Sequence, residues 1–139
     1  MKIRKAEQKD LKEVSQLYEK EMSKQFKLIG EKPLKANEFE KRLKNNFKKS
    51  NMYILDIEGI KGFIWYFEES NEFNLEEIFV VMKEKGHGKL LINFLLQKAK
   101  KKKIKRINLD VHFKNKSAQE FFRKFKFSER TIEMSRDLK

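Results

Sequence analysis

The sequence predicts a fold of the α/β or α+β class, built on a mixed sheet. Two observations carry this. Three β-rich runs, Met52–Asp56, Ile60–Phe67 and Phe73–Met82, follow one another with only short turns between them, as antiparallel hairpins do. The hydrophobic period then changes to that of a helix over Gly86–Lys103 and back to that of a strand at Arg106–Val111. A strand, helix, strand succession implies a parallel crossover.

Each element has its own signal. Lys2–Lys5 reads as a short first strand. Asp10 stands where a helix N-cap would, with Glu13 three residues on as in a capping box, and Leu11, Val14, Leu17, Tyr18 and Met22 follow at helical spacing. Lys27–Lys35 holds Gly30 and the single proline, Pro33, and reads as a loop. Phe39, Leu43 and Phe47 mark a second helix. Glu58-Gly59 joins the first pair of central strands, and Glu68–Asn71 turns the chain into the third. Leu90, Leu91, Phe94, Leu95 and Ala99 share one face of the helix Gly86–Lys103. Ser117–Phe125 reads as a short helix and Thr131–Arg136 as a final strand. The order is β-α-α-β-β-β-α-β-α-β, in one domain over residues 1–139, with no repeat or linker.

Composition bounds the function. With 39% hydrophobic residues and 13 Phe, the chain has enough apolar side chain for a core despite 40% charged residues. The absence of Cys excludes a disulfide framework, a thiolate metal site and a cysteine nucleophile, and fits a cytoplasmic location. Met1-Lys2-Ile3-Arg4 lacks the apolar stretch of a signal peptide, and Leu90–Leu96 is too short to span a bilayer, so no membrane role is expected. Two isolated His residues, His87 and His112, form no metal signature, and no metal is expected. The formal charge of +13 points to an anionic partner. Lys is spread along the whole chain, however, and a general bias toward Lys is the simpler reading.

The stretch Phe79–Leu91 holds most of the chemistry. A strand ends, a basic glycine loop Lys83-Glu84-Lys85-Gly86-His87-Gly88-Lys89 follows, and a helix begins. The first turn of a helix has unpaired N–H groups and partial positive charge, so it binds phosphate readily. Gly86 and Gly88 would let the backbone approach an anion, and Lys83, Lys85 and Lys89 add charge. A short G-x-G alone is equally compatible with an ordinary strand-to-helix turn.

Lys83–Gly88 resembles the R/Q-x-x-G-x-G/A motif of the GNAT acetyltransferase superfamily, and Asn115–Phe127 is similar to that family's second motif, N-x-x-A-x-x-F/L-Y-x-K-x-G-F. Leu109-Asp110-Val111 stands before the second motif as the family's fifth strand would. Ile3–Ala6 with Asp10-Leu11, and Ile132–Leu138 at the other end, look like the family's opening and last strand, so the resemblance spans nearly the whole chain. It implies a mixed, mostly antiparallel central sheet with splayed central strands, flanked by about four helices. It also implies transfer of an acetyl group from acetyl-CoA (or binding of CoA alone) to an amine, by direct attack.

The resemblance further implies residue roles. Strand Phe73–Val81 would splay from Arg106–Val111, and the pantetheine arm would pair with backbone near Ile78, Phe79, Val80 and Val81. Lys83, Lys85, Gly86, His87, Gly88 and Lys89 would hold the pyrophosphate, and Asn115 and Phe122 would face the coenzyme. Glu77 or Glu76, expected on opposite faces of the strand, is the candidate base. Gln25–Phe39 would wall the acceptor site. The acceptor would be an amine-bearing small molecule or protein, nucleic acid is the disfavoured partner, and the chain would be a monomer or homodimer.

The sequence departs from the family pattern in four places. Lys83 replaces Arg or Gln, which keeps the charge and loses the planar fork. The turn before Lys83 is short. Lys126 replaces Gly before Phe127. Phe122 stands where many members have a Tyr that protonates the leaving thiolate, and Phe has no proton to donate. This last departure keeps open a module that binds the coenzyme without catalysis.

Overall fold

The computed structural model describes residues 2–139. Five strands form one sheet in the order β1 (Ile3–Lys5), β2 (Asn51–Asp56), β3 (Ile60–Glu69), β4 (Glu72–Val80), β5 (Arg106–Asn108). The first four pair antiparallel, and β4 and β5 pair parallel. Four helices flank the sheet: α1 (Leu11–Leu28), α2 (Ala36–Asn46), α3 (His87–Lys101) and α4 (Lys116–Lys124). The mixed α/β class and the helix count match the expectation.

The two sheet faces bury separate apolar clusters. On one, α1 and α2 set Leu11, Val14, Tyr18, Met22, Phe39 and Leu43 against Ile54, Phe63, Trp65 and Phe79. The helical spacing of those residues put them on one stripe, and the strand period of two supplied the facing row. Trp65 is fully buried, and its indole N–H donates to Ser50 Oγ at 2.8 Å. On the other face, α3 and α4 set Leu91, Ile92, Leu95, Ala99 and Phe122 against Leu55, Ile64, Tyr66, Phe73 and Leu75.

Three expectations are corrected. Asp10 does not cap α1 with its side chain. Its carboxylate instead accepts from Arg4 Nη1 and Nη2, at 2.9 and 3.0 Å, and from the Glu7 N–H at 2.7 Å. A guanidinium offers a two-pronged, charged partner that outcompetes a backbone cap. Strand β5 stops at Asn108 rather than Val111. Thr131–Arg136 forms no strand: Ile132 and Met134 alternate as a strand's residues would, yet are 81% and 85% exposed. Alternation stabilises a strand only when an edge is there to pair with it and a surface to cover it.

Candidate active site

The site starts from an interrupted pairing. β4 and β5 are in register at only three positions, Glu72–Arg106, Phe73–Ile107 and Asn74–Asn108. Glu72 ties this closed end, accepting from Arg106 Nη1 at 3.0 Å and Asn108 Nδ2 at 2.6 Å. Beyond Asn74 the strands part. In β4 the register shifts: Trp65 faces Glu77, Tyr66 faces Leu75, and Glu76 is left over as a bulge. A bulge bends its strand and steepens the local twist, so the interruption lies where β4 leaves β5. Between the parted strands lies a cavity of about 280 Å³. Met22, Gln25, Phe26, Ile29 and Glu31 wall it on the α1 side, and Asn115, Ala118 and Phe122 on the α4 side. The opening therefore connects the two faces of the sheet, so two reactants can meet from opposite sides.

The bulge also sets the facing of the two candidate carboxylates. Glu76 and Glu77 both turn toward α1 and α2, not to opposite faces as strict alternation would have it. Arg42 of α2 lies 3.8 Å from the Glu76 carboxylate and sits over the ring of Trp65, the register partner of Glu77. Glu76 is exposed, whereas Glu77 is mostly covered at the floor of the cavity. Burial pushes the Glu77 carboxyl up to about 8, and the negative charge of Glu76 adds to this, against the Ile78 backbone hydrogen bond and Arg42. Tyr18 is stacked on Phe39 with ring centroids 3.8 Å apart. Burial, with the Glu77 charge nearby, pushes its phenol up to about 12. The sequence presented Tyr18 only as one of a helical apolar stripe, and nothing in that stripe marks its approach to Glu77.

The coenzyme-side residues divide. Ile78, Asn115 and Phe122 line the cavity; Phe79, Val80 and Val81 do not. Phe79 is buried against Phe63 and Tyr18 on the α1 face. The Val81 N–H donates to Lys61 O at 2.9 Å, toward β3. Alternation along an antiparallel pair then turns the backbone groups of Phe79 toward β3 as well and those of Ile78 and Val80 toward the parted side. Asn115 caps α4, its side-chain oxygen accepting from the Ala118 N–H at 3.2 Å. Phe122 is edge-on to Phe121 and Phe127.

The glycine loop sits beyond the end of β4. Gly86 is the N-cap of α3 with φ 74°, in the left-handed region where glycine is unstrained, and has no side chain to satisfy the helix's first N–H groups. Lys83, Lys85 and Lys89 are exposed around it. His87 Nδ1 is buried and, among the described residues, has no hydrogen-bond partner. Gly88 does something else: a Cβ there would meet the ring of Phe121. An open helix start, three exposed lysines, the unpartnered imidazole nitrogen and the outward backbone of Ile78 and Val80 together fit a long pyrophosphate-bearing cofactor. His112 lies in the cleft, its Nε2 4.0 Å from Glu31 Oε1. Among the described residues no cluster of three or more His, Cys, Asp or Glu has a metal-binding arrangement, and no helix is long and apolar enough to cross a membrane.

Residues 11–127 match the model of the acetyltransferase (GNAT) family. The chain belongs to that family. The fold is shared with a protein from Clostridium difficile 630 described as a possible acetyltransferase, at TM-score 0.80 and 18% identity over 97% of this chain and 95% of that one. A GNAT-family acetyltransferase from Staphylococcus aureus Mu50 aligns at TM-score 0.76 and 20% identity, over 93% of this chain and 85% of that one. A Clostridium acetobutylicum protein described as a predicted acetyltransferase, solved with acetyl-CoA, aligns at TM-score 0.74 and 14% identity, over 98% and 95%. At these identities the likeness is one of fold. No curated protein matches the sequence.

Proposed function

We propose that this chain is an N-acetyltransferase that takes its acetyl group from acetyl-CoA and gives it to an amine, in the cytoplasm. The observation that carries this is the parting of β4 from β5, with Glu77 at the floor of the gap and the glycine loop at its end. Acetyl-CoA supplies an activated thioester when bound. Lys83, Lys85, Lys89, His87 and the first N–H groups of α3 hold its pyrophosphate, with Gly86 giving the turn. Backbone groups of Ile78 and Val80 orient its arm, and the side chains of Ile78 and Phe122 and the rim at Asn115 exclude water from it. Glu77, with Glu76 beside it, takes the proton of the amine. A carboxyl raised to about 8 is a stronger base than an ordinary one and is matched to an amine's proton. The chain acts as one domain, as monomer or homodimer, on a small-molecule or protein amine rather than on nucleic acid.

Two measurements on the purified protein test this. Acetyl-CoA raises the melting temperature, because a ligand that binds only the folded state stabilises it. Thiol release from acetyl-CoA is amine-dependent. No thermal shift at millimolar acetyl-CoA overturns the reading. Phe122 favours a second reading, a coenzyme-binding module without turnover: its ring is buried among Phe121 and Phe127 and puts no hydroxyl into the cleft. A thermal shift without thiol release across a broad amine panel selects it.

A further inference from the structure

We propose that the acceptor cleft selects a small amine carrying a second positive charge, of the aliphatic diamine and polyamine class, against amines that bear a carboxylate or phosphate. This rests on the reading of the cleft as the acyl-transfer site. The observation is an inversion of charge. The molecule carries +13, and Lys and Arg make up about a quarter of its residues. None of them lines the cavity, whereas Glu31, Glu76, Glu77 and Asp110 all do. His112 is the one lining group able to become cationic, and it faces the Glu31 carboxylate at 4.0 Å. Arg42 reaches in from α2 to pair with Glu76 and lies near enough to Glu77 to act on its charge. Glu31 and Asp110, at the opening, remain to set the sign of the site.

The carboxylates are placed at two depths. Glu77 is mostly covered at the floor, and Glu31 and Asp110 are exposed at the opening. Met22, Phe26 and Ile29 lie along the same wall. An aliphatic chain packs on that apolar strip, its reacting nitrogen beside Glu77 and its second ammonium beside Glu31 and Asp110. A carboxylate or phosphate at the second position would meet the like charge of Glu31 and Asp110, and because both are exposed, added salt would weaken that repulsion. The cavity of about 280 Å³ is at the small end of ligand sites and must also admit the end of the coenzyme arm, so its acceptor side suits a slender linear amine rather than a folded segment of protein. A positively charged surface would otherwise repel such a cation, so the acidic opening is what admits it.

The test uses three amines of equal chain length, 1,4-diaminobutane, 1-aminobutane and 4-aminobutanoate, titrated calorimetrically into the protein saturated with coenzyme A. The diamine is expected to bind at least about tenfold more tightly than the monoamine, as one charge-assisted contact gives, and the amino acid most weakly. In the Glu31→Gln, Asp110→Asn double variant the ratio of diamine to monoamine affinity should fall toward one. Should that variant unfold, the single exposed-loop change Glu31→Gln gives the same ratio in smaller degree. Equal affinities, no binding of any of the three, preference for 4-aminobutanoate, or an unchanged ratio in the variants overturns the inference. Turnover separates it from the reading beneath it. Acetylation of some other amine without this order of affinities leaves the acetyltransferase standing and removes the selectivity. The order of affinities without acetyl transfer to any amine keeps the selectivity and removes the catalysis.

Discussion

A Cβ added to Gly88 would stand 3.2 Å from Cζ of Phe121, so the start of α3 is pressed against α4. The two glycines of the loop therefore do different things. Gly86 has open space around it and needs its φ of 74°; Gly88 has an ordinary helical position and needs its small size. Gly88→Val should cost about 1–3 kcal/mol by overpacking. Gly86→Ala should cost about 1–2 kcal/mol through its left-handed backbone. Adding Phe121→Ala should recover much of the loss at Gly88 and none of the loss at Gly86. Urea midpoints of the singles and doubles measure this coupling directly.

Charge at the loop should act on the coenzyme and not on the fold. Lys83 and Lys85 are exposed, so the double change Lys83→Glu, Lys85→Glu should leave the urea midpoint close to that of the parent. Acetyl-CoA affinity by calorimetry should fall tenfold or more, and the gap should narrow in high salt, where exposed charges are screened.

Arg4 joins Asp10 and Asp56, with its Nε donating to Asp56 Oδ2 at 2.9 Å. Hydrogen bonds from Arg4, chiefly, hold the Asp10 carboxyl below the usual range. Arg4→Ala leaves a buried carboxylate without its fork and should cost roughly 1–3 kcal/mol at pH 7. A lowered folded-state pKa gives stability that is present above the unfolded value, about 3.9, and lost as pH falls through the folded one. The difference between parent and variant should therefore shrink in acid, as urea midpoints at pH 7 and pH 2.5 would show.

This triad marks where local sequence stops being informative. The stripe Leu11, Val14, Tyr18, Met22 was legible because a helix writes its buried face at a fixed period, and the same holds for Leu91 and Leu95. The glycine loop was legible as the start of α3 because a left-handed N-cap favours glycine, as at Gly86. Asp10 has a cap's place in sequence but a partner in β1, and only the fold brings the two together. The bulge at Glu76 follows from how β3 and β4 settle against one another, so alternation alone gave the wrong face. Thr131–Arg136 carried a strand's pattern, but the fold pairs it with no neighbour. The acidic lining likewise comes from three distant segments, at Glu31, Glu76–Glu77 and Asp110, and spacing along the chain does not reveal it.

Phe122 is 9% exposed and lines the cavity from α4. A thiol titrates near 8.5, so a thiolate leaves near neutral pH without a strong acid. In an active enzyme Phe122→Tyr should leave kcat unchanged or raise it, since the added hydroxyl offers a proton at the cleft wall. A fall of tenfold or more, with the melting temperature unchanged, would show that the apolar ring itself is needed there.

Glu77 gives the sharpest prediction, because activity and stability should move in opposite directions. Its carboxyl is raised to about 8 by burial. Between the unfolded value, about 4.3, and about 8, the folded protein holds a proton that the unfolded chain has released. Stability attributable to this group is therefore full in acid and falls as pH rises through that window. Glu77→Gln keeps the shape and has no charge to bury, so it should be more stable than the parent at pH 8.5, with the two converging near pH 4. As the base, Glu77 works only when ionised, so log kcat/KM of the parent should rise with pH and level off near 8. The Gln variant should lose that rise and about a hundredfold to ten-thousandfold in rate. A variant that gains stability at pH 8.5 but keeps the parent's rate and pH profile would leave Glu77 as a buried carboxyl in the cleft floor and move the proton to Glu76 or to water.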